Sequence, residues 1–126
     1  MAQPNRELHT QQIMYLRKTI NFNDAGISTG VASSFSLPAG AMLVLQSVRV
    51  RTAFNAATTN AINVGTTAGG TQLFTDVATA GARQPTIASL TFATDTDVYF
   101  QYAQTGGAAT AGIADIVLGY VPNNDQ

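Results

Sequence analysis

The stretch MLVLQSVRVRTAF, residues 42–54, decides the fold because it is the longest run of β-branched and aliphatic residues in the chain. Its second half alternates with a period of two, which is the pattern of a strand with one buried face. The side predicted to be buried holds Val48, Val50, Thr52 and Phe54. Residues 43–45 are apolar on both sides, which predicts that this end is covered on both faces. Because the run exceeds the usual strand length, we expect a bulge near Gln46 and Ser47.

Shorter apolar runs on both sides of this stretch are separated by Gly, Pro, Asn and Asp turn residues. The other strand patterns occupy residues 13–20, 30–37, 61–66, 72–75, 85–93, 98–103 and 112–121. Residues 76–84 have no clear period and would allow one helical turn. The turn Pro38-Ala39-Gly40 leads straight into the long stretch, so we expect strands 30–37 and 42–54 to pair as an antiparallel hairpin.

About eight short strands and no amphipathic helix predict an all-β, single-domain β-sandwich or small barrel. Within that class a jelly roll is the favoured form. Residues 1–12, MAQPNRELHTQQ, are polar and without period, which predicts an extended N-terminal arm in front of a β-sandwich domain at residues 13–126. The arm contains no apolar core of a signal peptide, so we expect no export signal. No apolar run approaches the roughly 20 residues of a membrane span.

Charged residues make up only 10% of the chain, against about 25% in an average soluble domain. Two explanations remain open. The surface is either kept soluble by hydroxyl and amide groups, or it faces other protein in an assembly, where charged residues are depleted. A formal net charge of −1 provides no basic surplus for nucleic-acid binding. The absence of cysteine excludes disulfides and cysteine metal sites.

Motifs that carry chemistry elsewhere lack their required context here. Residues 26–30, GISTG, match the G-x-S-x-G pattern, but a strand pattern follows the serine and the only histidine, His9, lies upstream. His9 alone cannot build a zinc site. Asp76, Asp95 and Asp97 have neither the glycine nor the bidentate glutamate of a calcium loop. The glycine-rich loops lack the Lys-Ser/Thr of a phosphate cradle. We therefore expect a non-enzymatic protein without a cofactor or metal.

Arg49 and Arg51 fall on one face of the central strand, about 7 Å apart by strand rise. Like charges this close require partners. Either they pair across the sheet with Asp95, Asp97 or Asp115, or they reach carboxylates on another protein. Arg49, Arg51 and, in the N-terminal arm, Arg6 and His9 are the candidate partner-binding residues.

Two segments, SLPAGAMLVLQSVRVRTAFNAATTNAINVGT (36–66) and IADIVLGYVPN (113–123), resemble small all-β virion proteins of tailed bacteriophages, the capsid decoration or cement class. The likeness covers most of residues 19–123. It rests on the Pro-Ala-Gly turn into a long apolar strand, then TAFN, a Thr-Asn pair, VGT, and a last strand ending Tyr-Val-Pro.

This resemblance implies a jelly-roll-like domain, commonly a homotrimer, that is made in the host cytoplasm and sits on the outer surface of the capsid. Its partner would be the major capsid protein, and it would strengthen the shell without chemistry.

The alternative is a receptor- or carbohydrate-binding module of a phage tail or fibre. The chain has no tryptophan for a sugar platform, and Tyr15 and Tyr99 are the aromatic candidates. A head–tail connector is a third class, for which we would expect a ring-forming protein, often with helices.

Overall fold

The computed structural model describes residues 13–86 and 92–122, and for residues 33–35 it describes the backbone only. The described residues form eight strands: β1 (Met14–Asn21), β2 (Val31–Leu37), β3 (Met42–Thr52), β4 (Thr59–Gly65), β5 (Phe74–Asp76), β6 (Gly81–Arg83), β7 (Thr96–Thr105) and β8 (Ile113–Val121). They build two four-stranded sheets, in the orders β1-β8-β3-β6 and β2-β7-β4-β5. We call the first the front sheet and the second the back sheet. No helix in this part of the chain is long and apolar enough to cross a membrane.

The strand order is that of a jelly roll, in which the chain passes repeatedly from one sheet to the other. All strand pairs are antiparallel, and the prediction of an all-β sandwich of about eight strands is confirmed.

The expected hairpin between β2 and β3 is wrong, because β2 pairs with β7 in the back sheet and β3 with β8 in the front sheet. The turn at Pro38–Gly40 crosses between the sheets. It is held to the segment before β7, since the Gly40 N–H donates to the Phe92 carbonyl at 2.7 Å and the Ala39 N–H to Asp95 at 2.8 Å.

The core lies between the sheets and is built from alternate residues of the central strands. From the front sheet it includes Val48, Val50, Ala114, Ile116 and Leu118, and from the back sheet Ile62, Val64, Val98, Phe100 and Tyr102. Phe54 closes one end, with its ring centroid 4.5 Å from that of Tyr102. Burial of Val48, Val50 and Phe54 confirms the predicted face of the long strand, whereas Thr52 is exposed.

The bulges of β3 are displaced from the predicted position at Gln46 and Ser47. The register with β8 shifts between Leu43 and Leu45 and again between Val50 and Thr52. An extra residue on one strand turns the following side chains relative to the sheet. The expectation that both faces are covered at this end is also wrong, because Val44 is 46% exposed.

Two short strands form the other edge of the sandwich. Residues 74–76 form β5, which overlaps the strand pattern at residues 72–75. The helical turn allowed at residues 76–84 is not found, because residues 81–83 form β6 and residues 77–80 are not helical. Arg83 of β6 binds Asp76 of β5, with Nε 2.7 Å from Oδ1. This ion pair joins the edge strands of the two sheets. The strand predicted at residues 85–93 falls largely on residues 87–91, outside the described residues, and the described residues beside them are not in a strand.

Candidate partner-binding face

The candidate site lies on the outer face of the front sheet, where side chains point away from the core. Thr19 of β1, Asp115 of β8 and Arg49 of β3 stand side by side in the register of three adjacent strands. Residues directly opposite in an antiparallel pair share a face. The sheet therefore brings together groups that are far apart along the chain.

Asp115 is the buried anchor of this face, with 5% of its surface exposed. The Thr19 hydroxyl donates to Oδ1 at 2.7 Å. Arg51 reaches both carboxylate oxygens, with Nε 2.9 Å from Oδ2 and Nη2 3.2 Å from Oδ1. Arg17 adds a longer contact, with Nη2 3.5 Å from Oδ2. These distances describe one carboxylate shared between two guanidinium groups and a hydroxyl.

The charge state of Asp115 follows from this arrangement. Burial raises the pKa of Asp115, but the Thr19 hydrogen bond and the nearby charges of Arg51 and Arg17 outweigh it, and the pKa lies below its ordinary value. Asp115 is thus an anion at neutral pH. It neutralises only part of the positive charge around it.

The two predicted arginines behave differently. Arg51 pairs inside the chain with Asp115, one of the three carboxylates considered for it. Arg49 is exposed and makes no ion pair within residues 13–86 and 92–122, although its Cα is in register with that of Asp115. The register shift after Val50 supplies a reason, because it leaves Arg51 as the extra residue that turns toward Asp115. A partner-binding role for Arg49 and Arg51 remains a prediction.

Positive charge is concentrated on this sheet. Of the six lysines and arginines in the chain, four lie on β1 and β3: Arg17, Lys18, Arg49 and Arg51. Asp115 is the one carboxylate on β1, β3 and β8, so these strands carry an excess of three positive charges at neutral pH. Sequence reasoning missed Arg17 and Thr19, since no local pattern shows that β1 lies beside β8.

Other residues selected from the sequence do not assemble into a site. Arg6 and His9 lie outside the described residues. Tyr15 belongs to the front sheet and Tyr99 to the back sheet, so they do not form one aromatic platform.

Two of the aspartates considered as calcium ligands have other partners. Asp76 forms an ion pair with Arg83, and the Asp95 carboxylate accepts a hydrogen bond from the Ala39 N–H. The described residues contain no cluster of three or more His, Cys, Asp or Glu side chains suited to a metal.

The GISTG segment is a turn between strands. Gly26 and Gly30 adopt positive φ values of 74° and 116°, and β2 begins at Val31. The Ser28 carbonyl accepts from Gln101 at 2.8 Å. A nucleophile elbow has a helix after the serine, and here a strand stands in that place.

Comparison with known proteins gives a match at the level of structure. No family model matches the chain, and no curated protein does. The fold occurs in two bacteriophage capsids. A chain of the cyanophage Pam1 capsid asymmetric unit is 20% identical, with a TM-score of 0.66 over 90% of this chain and 87% of that one. A chain of the acidic stable capsid of Helicobacter pylori bacteriophage KHP30 is 16% identical, with a TM-score of 0.65 over 89% of each chain. At these identities the similarity establishes a shared fold.

Proposed function

We propose that the protein is a virion structural protein that binds the outer surface of a bacteriophage capsid and stabilises the shell, as a decoration or cement protein. The observation that carries the proposal is the match of about nine-tenths of the chain to chains of two phage capsids. The role is non-catalytic, its partner is the major capsid protein, and its place is the capsid surface.

The chemistry of the surface supports this role. A charge-poor chain loses little solvation free energy when it lies against neighbouring subunits. As a homotrimer the protein would contact several capsid subunits at once, and modest contacts would then combine through avidity. Arginine groups such as Arg49 suit carboxylates on another protein, because the planar guanidinium binds them through two hydrogen bonds.

Co-sedimentation tests the proposal. Purified protein is mixed with capsids of the phage that encodes it, assembled without it, and the capsids are pelleted. We expect saturable, stoichiometric binding and a higher dissociation temperature of the decorated shell. Absence of binding, together with binding to a glycan array, would instead identify a receptor- or carbohydrate-binding module of a tail or fibre.

Deletion of residues 1–12 tests the predicted arm. We expect weaker capsid binding, because Arg6 and His9 are removed with it, and an unchanged melting temperature, because the described core begins after Ile13. The full-length variants Arg6→Ala and His9→Ala keep the length of the segment, and they should bind more weakly than the wild type if these two side chains account for the loss. Equal affinity of truncated and full-length protein would show that the arm takes no part.

A further inference from the structure

The exposed large hydrophobic side chains of the described chain are concentrated in one place. They are Ile13, Met14, Tyr15, Met42, Val44 and Val77. All but Val77 lie at one end of the front sheet, where β1 and β3 begin and β8 ends. Tyr15 is 62% exposed and Met42 is 50% exposed. Single exposed hydrophobic residues are ordinary, but a contiguous group marks an interaction surface.

Gly119 makes this group continuous across three strands. Tyr15, Gly119 and Leu45 are aligned in register. A Cβ atom placed on Gly119 would lie 3.0 Å from Leu45 Cβ, 3.2 Å from Ile13 Cγ2 and 3.2 Å from Tyr15 Cε1. The neighbouring side chains therefore close over the glycine from both sides. We call Ile13, Tyr15, Met42, Val44 and Leu45 the apolar patch.

The bulge in β3 enlarges the patch. The register between β3 and β8 shifts between Leu43 and Leu45, so Val44 has no partner residue on β8. Leu43 is buried in the core, while Val44 is 46% exposed. A bulge that directs a hydrophobic side chain outward exposes apolar surface to water, which is unfavourable. Burial of that side chain against another surface would recover this free energy.

Positive charge adjoins the apolar patch on the same face. Along β1, Arg17 follows Tyr15 by two residues, about 7 Å of strand. Along β3, Arg49 and Arg51 follow Leu45 on the same outer face. A partner that covers the patch thus meets an excess of positive charge at one side of its footprint.

We infer that this face of the front sheet is the docking surface, and that it binds a protein surface on which apolar side chains lie next to carboxylates. This inference rests on the proposed function, which makes the major capsid protein the bearer of that surface. The apolar patch would supply the buried centre, and Arg49, exposed and without an ion pair in the described chain, would bind an acidic rim residue.

Charge disfavours the simplest alternative occupant, a second copy of the same face. A two-fold contact brings two copies of one surface together, and both copies would carry the same excess of positive charge from Arg17, Arg49 and Arg51. Like charges placed across an interface oppose association. Pairing along the free edge of β1 is also disfavoured. Lys18 stands at an inward-facing position of β1 between buried Leu16 and Ile20, which is a known protection of edge strands.

The apolar patch is tested with the double variant Tyr15→Ser and Val44→Ser in the co-sedimentation assay. We expect the apparent affinity for capsids to fall by about tenfold or more, the size associated with loss of an interface anchor. The matched control is Val77→Ser, which removes an equally exposed hydrophobic side chain outside the face. Val77→Ser should bind as the wild type does.

The contribution of positive charge to the docking surface is tested with the variant Arg49→Ala. The control is Ala32→Asp, which makes the same change in net charge at an exposed position of the back sheet. Raising the salt concentration from about 0.1 M to about 1 M shortens the screening length from about 10 Å to about 3 Å. We expect capsid binding to weaken over this range in the wild type and in Ala32→Asp, and to weaken less in Arg49→Ala.

The outcomes separate the inference from the proposed function. If the wild type does not bind capsids, both fail. If the wild type binds and the front-sheet variants bind equally well, the docking surface is wrong and the capsid role stands. If these variants change the oligomeric state in sedimentation velocity but not capsid binding, a second copy occupies the face and the inference is overturned. Thermal unfolding of each variant verifies that it is folded.

Discussion

At the scale of single residues, the two buried carboxylates of the described chain have different surroundings. Asp76 is held by both Nε and Nη2 of Arg83, each at 2.7 Å, and accepts the Ala78 N–H at 2.9 Å. The arginines around Asp115 are more open to solvent, since the side chains of Arg51 and Arg17 are 45% and 68% exposed. The first pair is therefore part of the framework, while the second remains accessible to another protein.

This difference predicts unequal costs of removing an arginine. Arg83→Ala leaves the Asp76 carboxylate buried without its cation and should lower the free energy of unfolding by about 3 kcal/mol. Arg17→Ala removes an exposed side chain from a carboxylate that keeps Arg51 and Thr19, and should cost at most about 1 kcal/mol. Denaturant unfolding at pH 7 measures both. If both variants lost the same free energy of unfolding, the ion pair between Arg83 and Asp76 would not be structural.

At the scale of elements, the turn from Gly26 to Gly30 provides a matched pair of glycines. Both have positive φ. A Cβ on Gly30 would lie 2.7 Å from the Gly69 nitrogen and 2.9 Å from Ala68 Cα, which are backbone atoms. A Cβ on Gly26 would have Val31 Cγ2 as its nearest neighbour, at 3.8 Å. Conformation therefore constrains both positions, and close packing of the backbone constrains only Gly30.

Alanine substitutions should reveal this distinction. Gly26→Ala should cost about 1–2 kcal/mol, the penalty of the left-handed region for a residue with a Cβ. Gly30→Ala adds overpacking against the loop at residues 68–69 and should cost at least about 3 kcal/mol. Urea unfolding curves compare the two variants. A loss for Gly30→Ala no larger than that for Gly26→Ala would contradict the structure of this turn.

The elements also show how far the sequence could lead. Alternation predicts the buried face of β3, because Val48, Val50 and Phe54 follow the two-residue period of a strand and all three are buried. It could not predict which strands are neighbours. Thr19 and Asp115 are separated by 96 positions, and their contact depends on β1 pairing with β8. The residues of β6, Gly-Ala-Arg, have no apolar pattern, and its pairing with β3 defines it as a strand.

The candidate site was accessible to sequence reasoning only in part. The strand period predicts that Arg49 and Arg51 share one face. Their separate environments arise from a register shift that has no signal in the sequence. The apolar patch was missed for a related reason. Apolar residues at 43–45 indicate burial on both faces, and only the fold shows that one face of this end is left uncovered.

At the scale of the whole molecule, the two buried carboxylates stabilise different parts of the sandwich. Asp76 connects the back sheet to the front sheet through Arg83. Asp115 connects β8 to its neighbours β1 and β3 within the front sheet. Protonation of both groups would weaken the ion pair between the sheets and the side-chain contacts within the front sheet. Acid should therefore destabilise both sheets together.

The direction of this pH dependence follows from the pKa values. Burial raises the pKa of both Asp76 and Asp115, but the arginines and the hydrogen bonds that each accepts outweigh it, and both pKa values lie below the ordinary 3.8. A carboxylate with a lowered pKa in the folded state stabilises the fold above its unfolded-state pKa, and this contribution disappears as the pH falls through the folded-state pKa. We therefore expect the free energy of unfolding to be nearly constant from pH 7 to about pH 5 and to fall steeply below about pH 4.

The variant Asp115→Asn distinguishes the contribution of Asp115 to the acid sensitivity from that of Asp76. This variant should be less stable than the wild type at pH 7, because the arginines lose their anion, and its stability should decline less between about pH 4 and pH 2. Asp97→Asn, a change of an exposed carboxylate on β7, should retain the wild-type profile. Denaturant unfolding at a series of pH values measures all three proteins. If the acid-induced loss is the same in Asp115→Asn as in the wild type, Asp115 does not carry it, and the contacts of Arg51 and Arg17 with this carboxylate do not account for the acid sensitivity of the fold.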